Sequence, residues 1–151
     1  GFTEIQEAIR DNCPEEYFTI IMRRFMMRIA QRIAKDHGCG CLVTGENLGQ
    51  VASQTMEAMA VTSSVVEMPI FYPLIGMDKE EIVAIARRIG TMETSILPYE
   101  DGCTVLTPKD PKTKTYLGAV MAAEAKLDVE GLIERAIANT ELVKVRYYDG
   151  V

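Results

Sequence analysis

The stretch Cys41-Leu42-Val43-Thr44-Gly45-Glu46-Asn47-Leu48-Gly49-Gln50-Val51-Ala52-Ser53-Gln54-Thr55 decides the reading of the fold. Its first residues are apolar and predict a buried strand over Cys41–Thr44. Two glycines follow, and an Ala/Met-rich pattern at helical spacing then predicts a helix over about Gln50–Ala60. Strand, glycine-bearing turn and helix, in that order, make the edge at which open α/β sheets take nucleotides, because the helix N-terminus presents unpaired backbone N–H groups there. Glycine lets a backbone turn tightly and approach a ligand closely. Glu46, Gln50, Ser53 and Gln54 crowd this turn with hydrogen-bonding side chains.

Upstream, Phe2–Asn12 fits a short helix with Phe2, Ile5 and Ile9 on one face. Pro14 marks a helix start, and the longest periodic segment runs from there to Asp36. Ile21, Phe25, Ile29 and Ile33 form its apolar stripe, with Arg24, Arg28 and Arg32 off it. Gly38 closes it as a C-cap. Downstream, Val65–Met68 predicts a second strand, and Pro69 and Pro73 bracket an extended or loop-like Ile70-Phe71-Tyr72. Asp78 and Glu81 form a capping-box pattern opening a helix that turns Ile82, Ile85, Ala86 and Ile89 inward and stops at Gly90. Thr91–Leu97 reads as a tight loop or short strand, and Thr107–Thr115 as a surface loop. Helical patterns follow near Tyr116–Lys126 and Val129–Leu142, with Val143–Tyr148 a fraying tail or edge strand. Strands separated by helices predict a parallel α/β sheet.

The 151 residues suffice for one domain or part of one, with 48% hydrophobic and 25% charged residues and a net charge of −6. That acidity argues against this segment alone being the main grip on a nucleic acid, which needs a basic footprint. No run of 18 apolar residues predicts a membrane span, and no signal peptide opens the chain. Four cysteines, Cys13, Cys39, Cys41 and Cys103, are too few for a disulfide scaffold, so a reducing cytoplasm is expected. Cys39-Gly40-Cys41 beside His37 lacks a common zinc spacing; Cys41 reads as a small hydrophobe at the start of a strand. The nine methionines, Met22, Met26 and Met27 among them, read as core filler.

The turn after the first strand resembles that of the tRNA 4-thiouridine synthetase (ThiI) family of tRNA thiolation and thiamine biosynthesis. Three further stretches match in the same order: Ile20-Ile21-Met22-Arg23-Arg24, then Pro73-Leu74-Ile75-Gly76-Met77-Asp78-Lys79-Glu80-Glu81-Ile82, then Ile96-Leu97-Pro98-Tyr99-Glu100-Asp101-Gly102-Cys103-Thr104-Val105. The resemblance runs from about Phe2 to Lys114. It implies an α/β fold of adenine nucleotide alpha-hydrolase (PP-loop) type, a Rossmann-like parallel sheet flanked by helices. The family's Ser-Gly-Gly-x-Asp-Ser pyrophosphate loop has no counterpart in this sequence. Residues 1–151 are therefore expected to be the C-terminal part of the ATP-pyrophosphatase domain, with the N-terminal part of the fold and the RNA-binding modules missing. A half-sheet of this kind exposes an edge liable to pair with itself, which predicts a homo-oligomer.

The resemblance also implies a chemistry. ATP, with Mg2+, adenylates a tRNA uridine at its carbonyl oxygen, and sulfur from a cysteine persulfide displaces AMP to give 4-thiouridine. Arg23, Gly45 and Gln54 match the family's nucleotide contacts, with Arg24 the runner-up to Arg23. Glu46 and Ser53 share the turn, and Glu46 suits a magnesium ion or a ribose hydroxyl. Cys103 matches the catalytic sulfur-bearing cysteine. Many relatives carry two adjacent cysteines there, whereas this chain has Gly102-Cys103. A resolving thiol or sulfur donor must then come from elsewhere, and no rhodanese domain follows. The implied partners are tRNA, a cysteine desulfurase and a sulfur-carrier protein of thiamine synthesis. Lys79 reads as solvated, and Lys109, Lys112 and Lys114 as a small basic loop able to touch an RNA backbone. On its own the segment is expected to be inactive. Two other readings stand beside this one: a non-catalytic nucleotide-binding module, and an acidic α/β interaction domain.

Overall fold

The structure, a computed structural model, describes residues 1–49, 54–98 and 116–144. Its elements in chain order are α1 (Thr3–Asn12), α2 (Phe18–Asp36), β1 (Leu42–Val43), α3 (Met56–Ser63), β2 (Ile70–Phe71), α4 (Lys79–Arg88), α5 (Met92–Ser95), α6 (Leu117–Glu124) and α7 (Val129–Ala138). β1 and β2 are parallel, with Leu42 opposite Ile70 and Val43 opposite Phe71. Joined through α3, they form the β-α-β unit of an α/β fold with a parallel sheet.

Helix α2 is the organiser. Pro14 caps a single 3-10 turn, Glu15–Tyr17, that feeds it. At its far end Gly38 takes φ +70°. There Cys39 N–H donates to the Ala34 carbonyl at 2.8 Å and Gly38 N–H to the Lys35 carbonyl at 3.1 Å, the paired bonds of a left-handed helix cap. Gly90 ends α4 in the same way, with Thr91 N–H on Ala86 and Gly90 N–H on Arg87.

The four-residue stripe of α2 is where the core forms. Ile21 and Phe25 are wholly buried. They pack with Ile5 and Ile9 of α1, Ala58 and Val61 of α3, Val120 and Ala123 of α6, and Leu132 and Ile133 of α7. Truncating a buried aromatic such as Phe25 to alanine costs about 3–5 kcal/mol. The sheet lies at one side of this helical cluster.

Several sequence expectations shift. The helix after the first turn begins at Met56 rather than near Gln50, because Thr55 caps it by accepting the Ala58 N–H at 3.2 Å. The second strand is Ile70–Phe71, not Val65–Met68. It is set by pairing: Leu42 N–H donates to the Pro69 carbonyl at 2.9 Å and Thr44 N–H to the Phe71 carbonyl at 3.0 Å. Proline lacks a donor but keeps the acceptor this ladder uses. The first strand is not buried either, since Val43 is 66% exposed. Thr91–Leu97 holds the short helix α5. Asp78 and Glu81 form the expected capping box, yet α4 buries no residue and Ile89 stands in solvent. Met22 and Met27 are core, whereas Met26 is exposed.

Candidate functional site

Because the two strands are parallel, both chains leave them at one edge of the sheet. The turn after β1, Thr44–Gly49, meets the turn after β2. Leu48 N–H donates to the Ile75 carbonyl at 3.3 Å, and the Asn47 carboxamide donates to the Leu74 carbonyl at 2.7 Å and to the Met77 carbonyl. Helix α2 feeds β1 from its C-terminal end, and its N-terminal half returns to this same edge. There the Arg23 guanidinium forms an ion pair with Glu46. Both side chains are largely buried, 19% and 8% exposed. The Glu46 carboxylate also accepts the Thr44 hydroxyl at 3.2 Å.

Gly45 sits between these groups. Its φ is not positive, and a Cβ placed on it meets nothing within 4 Å. Neither backbone conformation nor packing within the chain demands glycine there. Gly49 differs: its φ is +79°, and its N–H donates to the Gln54 carbonyl at 3.1 Å, closing the turn.

Beside these residues runs an open groove of ≈ 490 Å³, lined by Asn47, Leu48, Gly49, Ile75, Gly76, Met77, Asp78 and Lys79. A single small ligand fits such a volume. Its walls are mainly apolar, and Lys79 has no ion-pair partner among the described residues. The N-terminus of α4 at its margin is already satisfied by Asp78 and Glu81. A second groove, ≈ 440 Å³ between α2 and α7, is lined by Arg32, Lys35, Asp36, Glu134, Ile137 and Ala138. It lies toward the opposite end of α2 from Arg23, the end that leads into the start of β1, whereas open α/β sheets take ligands at the C-terminal ends of their strands. The sheet edge is the better candidate.

Of the residues expected from sequence, Arg23, Gly45 and Glu46 converge at this edge, and Gln54 joins them through its backbone carbonyl. Ser53, Gln50 and Cys103, with the basic residues Lys109, Lys112 and Lys114, lie outside the described residues. Arg24 does not belong to the site. It is buried, 3% exposed, and its guanidinium donates to Glu124 at 3.0 Å, to the Val61 carbonyl at 2.7 Å and to the Ser64 hydroxyl at 2.8 Å. Arg28 clamps the same carboxylate through two bonds of 2.6 and 2.8 Å. Burial opposes the charge on Glu124, but hydrogen bonds from Arg28 and Arg24 outweigh it and hold the carboxyl below its ordinary range.

Sequence reasoning passed over Asn47. Its signal was the Asx residue inside a glycine-bearing turn, a residue type that bonds nearby backbone. Among the thiols, Cys39 is exposed and Cys41 half-buried. Burial pushes the Cys13 thiol up, against a lowering by Lys126, and its Sγ faces the Ala123 carbonyl at 3.5 Å. Among the described residues no helix is long and apolar enough to cross a membrane.

Comparison with known proteins agrees with this geometry. The family model described as thiamine biosynthesis protein (ThiI) matches residues 1–129. The chain is 56% identical over 144 residues to a probable tRNA sulfurtransferase of Acetivibrio thermocellus, covering 95% of this chain and 37% of that protein. A probable tRNA sulfurtransferase of Alkaliphilus metalliredigens is 54% identical over 145 residues, covering 96% and 37%. The crystal structure of a 4-thiouridine synthetase–RNA complex with bound ATP superposes with a TM-score of 0.87 at 41% identity, covering 92% of this chain and 36% of that one. The chain thus spans little more than a third of the length of the relatives it matches.

Proposed function

The chain belongs to the thiamine biosynthesis protein (ThiI) family, and on that premise we propose that it is the C-terminal part of the ATP-pyrophosphatase domain of a tRNA sulfurtransferase. The parent protein adenylates a tRNA uridine and replaces its carbonyl oxygen with sulfur. The observation that carries this reading is the convergence of Arg23, Gly45 and Glu46 at the C-terminal edge of the parallel strands. Open α/β sheets bind nucleotides at that edge.

The residues present fit ATP. Arg23 bears a planar guanidinium, the group type that recognises phosphate oxygens, and its Nη2 is held by Glu46, which fixes its direction. Gly45 is a glycine that the fold itself does not require, which leaves room for a nucleotide to approach the backbone. Glu46 is committed to Arg23 and Thr44. Among the described residues no three His, Cys, Asp or Glu side chains converge to hold a metal. A magnesium ion therefore fits best as one carried on the nucleotide's phosphates and water, not on a protein cage.

The reaction has two displacements. The uridine C4 oxygen attacks the α-phosphorus of ATP and pyrophosphate leaves. The terminal sulfur of a persulfide on Cys103 then attacks C4, the C4–O bond breaks and AMP departs. A thiol from another protein cleaves the remaining S–S bond, releasing the thiouridine and leaving a disulfide for reduction. Cysteine desulfurase charges Cys103 again. The same persulfide can load a sulfur-carrier protein for thiazole synthesis. The net charge of −6 assigns the tRNA grip mainly to the rest of the parent.

The test is the 4-thiouridine content of tRNA from cells lacking the parent gene and supplied with full-length protein, wild type or Arg23→Ala. Restoration by wild type and none by a folded Arg23→Ala protein supports the reading. Failure of the wild type to restore thiouridine ends it, and leaves a nucleotide-binding module without this chemistry.

A further inference from the structure

We propose that Asn47 is a positioning residue, which fixes the turn after β2 against the nucleotide turn after β1 and so sets the width of the groove between them. The proposal deepens the functional reading above, since it concerns how that same edge is assembled.

Asn47 is 4% exposed, a buried polar side chain at the mouth of a surface groove. Its Nδ2 spends both protons on the second turn, one on the Leu74 carbonyl and one on the Met77 carbonyl. Among the described residues the two turns are otherwise joined by the Leu48 N–H to the Ile75 carbonyl at 3.3 Å, a long bond for that pair. Among the described residues no regular strand pairing continues past Thr44 and Phe71. The carboxamide therefore extends the link between the two segments beyond the strands.

What it holds matters for the chemistry. Leu74 to Met77 carry Ile75, Gly76 and Met77 along one wall of the groove and lead directly into Asp78 and Lys79. The other wall is Asn47, Leu48 and Gly49, which adjoin Gly45 and Glu46. The Asn47 amide protons both go to the second turn, so its loss is expected to displace that wall while the Arg23–Glu46 pair on the first turn stays in place. A misplacement of about 1 Å can cost as much as a hundredfold in rate.

The amide nitrogen does the work, so shape alone cannot replace it. Asn47→Asp keeps the outline but turns a carboxylate toward two carbonyl oxygens. Asn47→Ser keeps one donor and gives a second variant if the aspartate fails to fold. In the full-length protein the expected result is a fall in kcat of about tenfold or more for Asn47→Asp, with the KM for ATP within about threefold of wild type, and an intermediate kcat for Asn47→Ser. Hydrogen exchange at the Leu48 amide is expected to accelerate in both variants while the amides of α2 and α7 keep their protection. Unchanged kcat, a raised KM for ATP at wild-type kcat, or unchanged Leu48 exchange each overturns the proposal. If wild-type protein makes no thiouridine, the functional reading fails separately, and the exchange measurement still decides whether Asn47 joins the two turns.

Discussion

Arg24 and Glu124 are 100 residues apart in the chain and 3.0 Å apart in space, both below the surface. With Arg28 on the same carboxylate and Arg24 also on Val61 and Ser64, this pair ties α2, α3 and α6 together. Arg23, the next residue back, stands at the sheet edge, where it pairs with Glu46.

Removing one member of a buried ion pair leaves the others charged and dry. Glu124→Gln should therefore destabilise by about 3–5 kcal/mol, whereas replacing Arg24, Arg28 and Glu124 together with leucine or methionine should recover most of that loss. Urea unfolding followed by circular dichroism measures both. A Glu124→Gln protein as stable as wild type would show that the pair holds nothing.

The same carboxyl sets a pH dependence. Its folded value lies below the ordinary 4.5, so its contribution is fully present above the unfolded value and is lost as pH falls through the folded one. Stability should drop on acidification below about pH 4.5, and that portion of the drop should vanish in the triple apolar variant. Melting temperatures across pH 3–7 give the answer.

Nucleotide affinity tests the first turn. The 151-residue chain carries Arg23, Gly45 and Gln54 but no Ser-Gly-Gly sequence, so ATP binding should be weak or undetectable by calorimetry. A low-micromolar constant, about −8 kcal/mol, would show that the pyrophosphate loop is dispensable. In the full-length protein Arg23→Lys should raise the KM for ATP about tenfold, because a point charge cannot reproduce a bidentate fork.

Cysteine reactivity separates chemistry from packing. Cys13, its thiol raised by burial, should alkylate slowest, and Cys103 fastest, since reactivity follows access and thiolate fraction. Cys103→Ser in the parent should abolish thiouridine while leaving adenylation intact. Cys39→Ser and Cys41→Ala should cost stability at most. Thiolation by a folded Cys103→Ser protein would remove that residue from the mechanism.

The sheet predicts self-association. Val43 and Phe71 are 66% and 57% exposed and stand opposite each other in the register, an apolar pair on a sheet that has two strands among the described residues. The isolated chain should form dimers or larger species by light scattering, and Val43→Lys with Phe71→Lys should return it to 16.8 kDa. A wild-type monomer at all concentrations sinks the idea.

Local signals carried most of the helices. The Ile21 and Phe25 stripe, Gly38, Gly90 and the Asp78–Glu81 box each act within a few residues, and each was legible. The start of α3 reads too early, near Gln50, because the Thr55 cap passes as part of the helical run. The second strand was only half legible: Ile70–Phe71 reads as extended or loop-like because Pro69 and Pro73 flank it, and it is pairing with β1 that makes it a strand. At the site, Arg23 and Gly45 came from the resemblance and Glu46 from the polar crowding of the turn, and the three share one edge. The Arg24–Glu124 pair had no local trace: arginines four apart off an apolar stripe look solvated until a carboxylate a hundred positions later arrives to meet them.

That arrival has an order in time. A ribosome adding about 5–20 residues per second passes Arg24 roughly 5–20 s before Glu124 exists. Through that interval the Arg24 guanidinium can already reach Val61 and Ser64 at the end of α3, but its charge has no carboxylate to meet it. A chain halted before Glu124 therefore carries an unneutralised arginine where the finished protein has its interior.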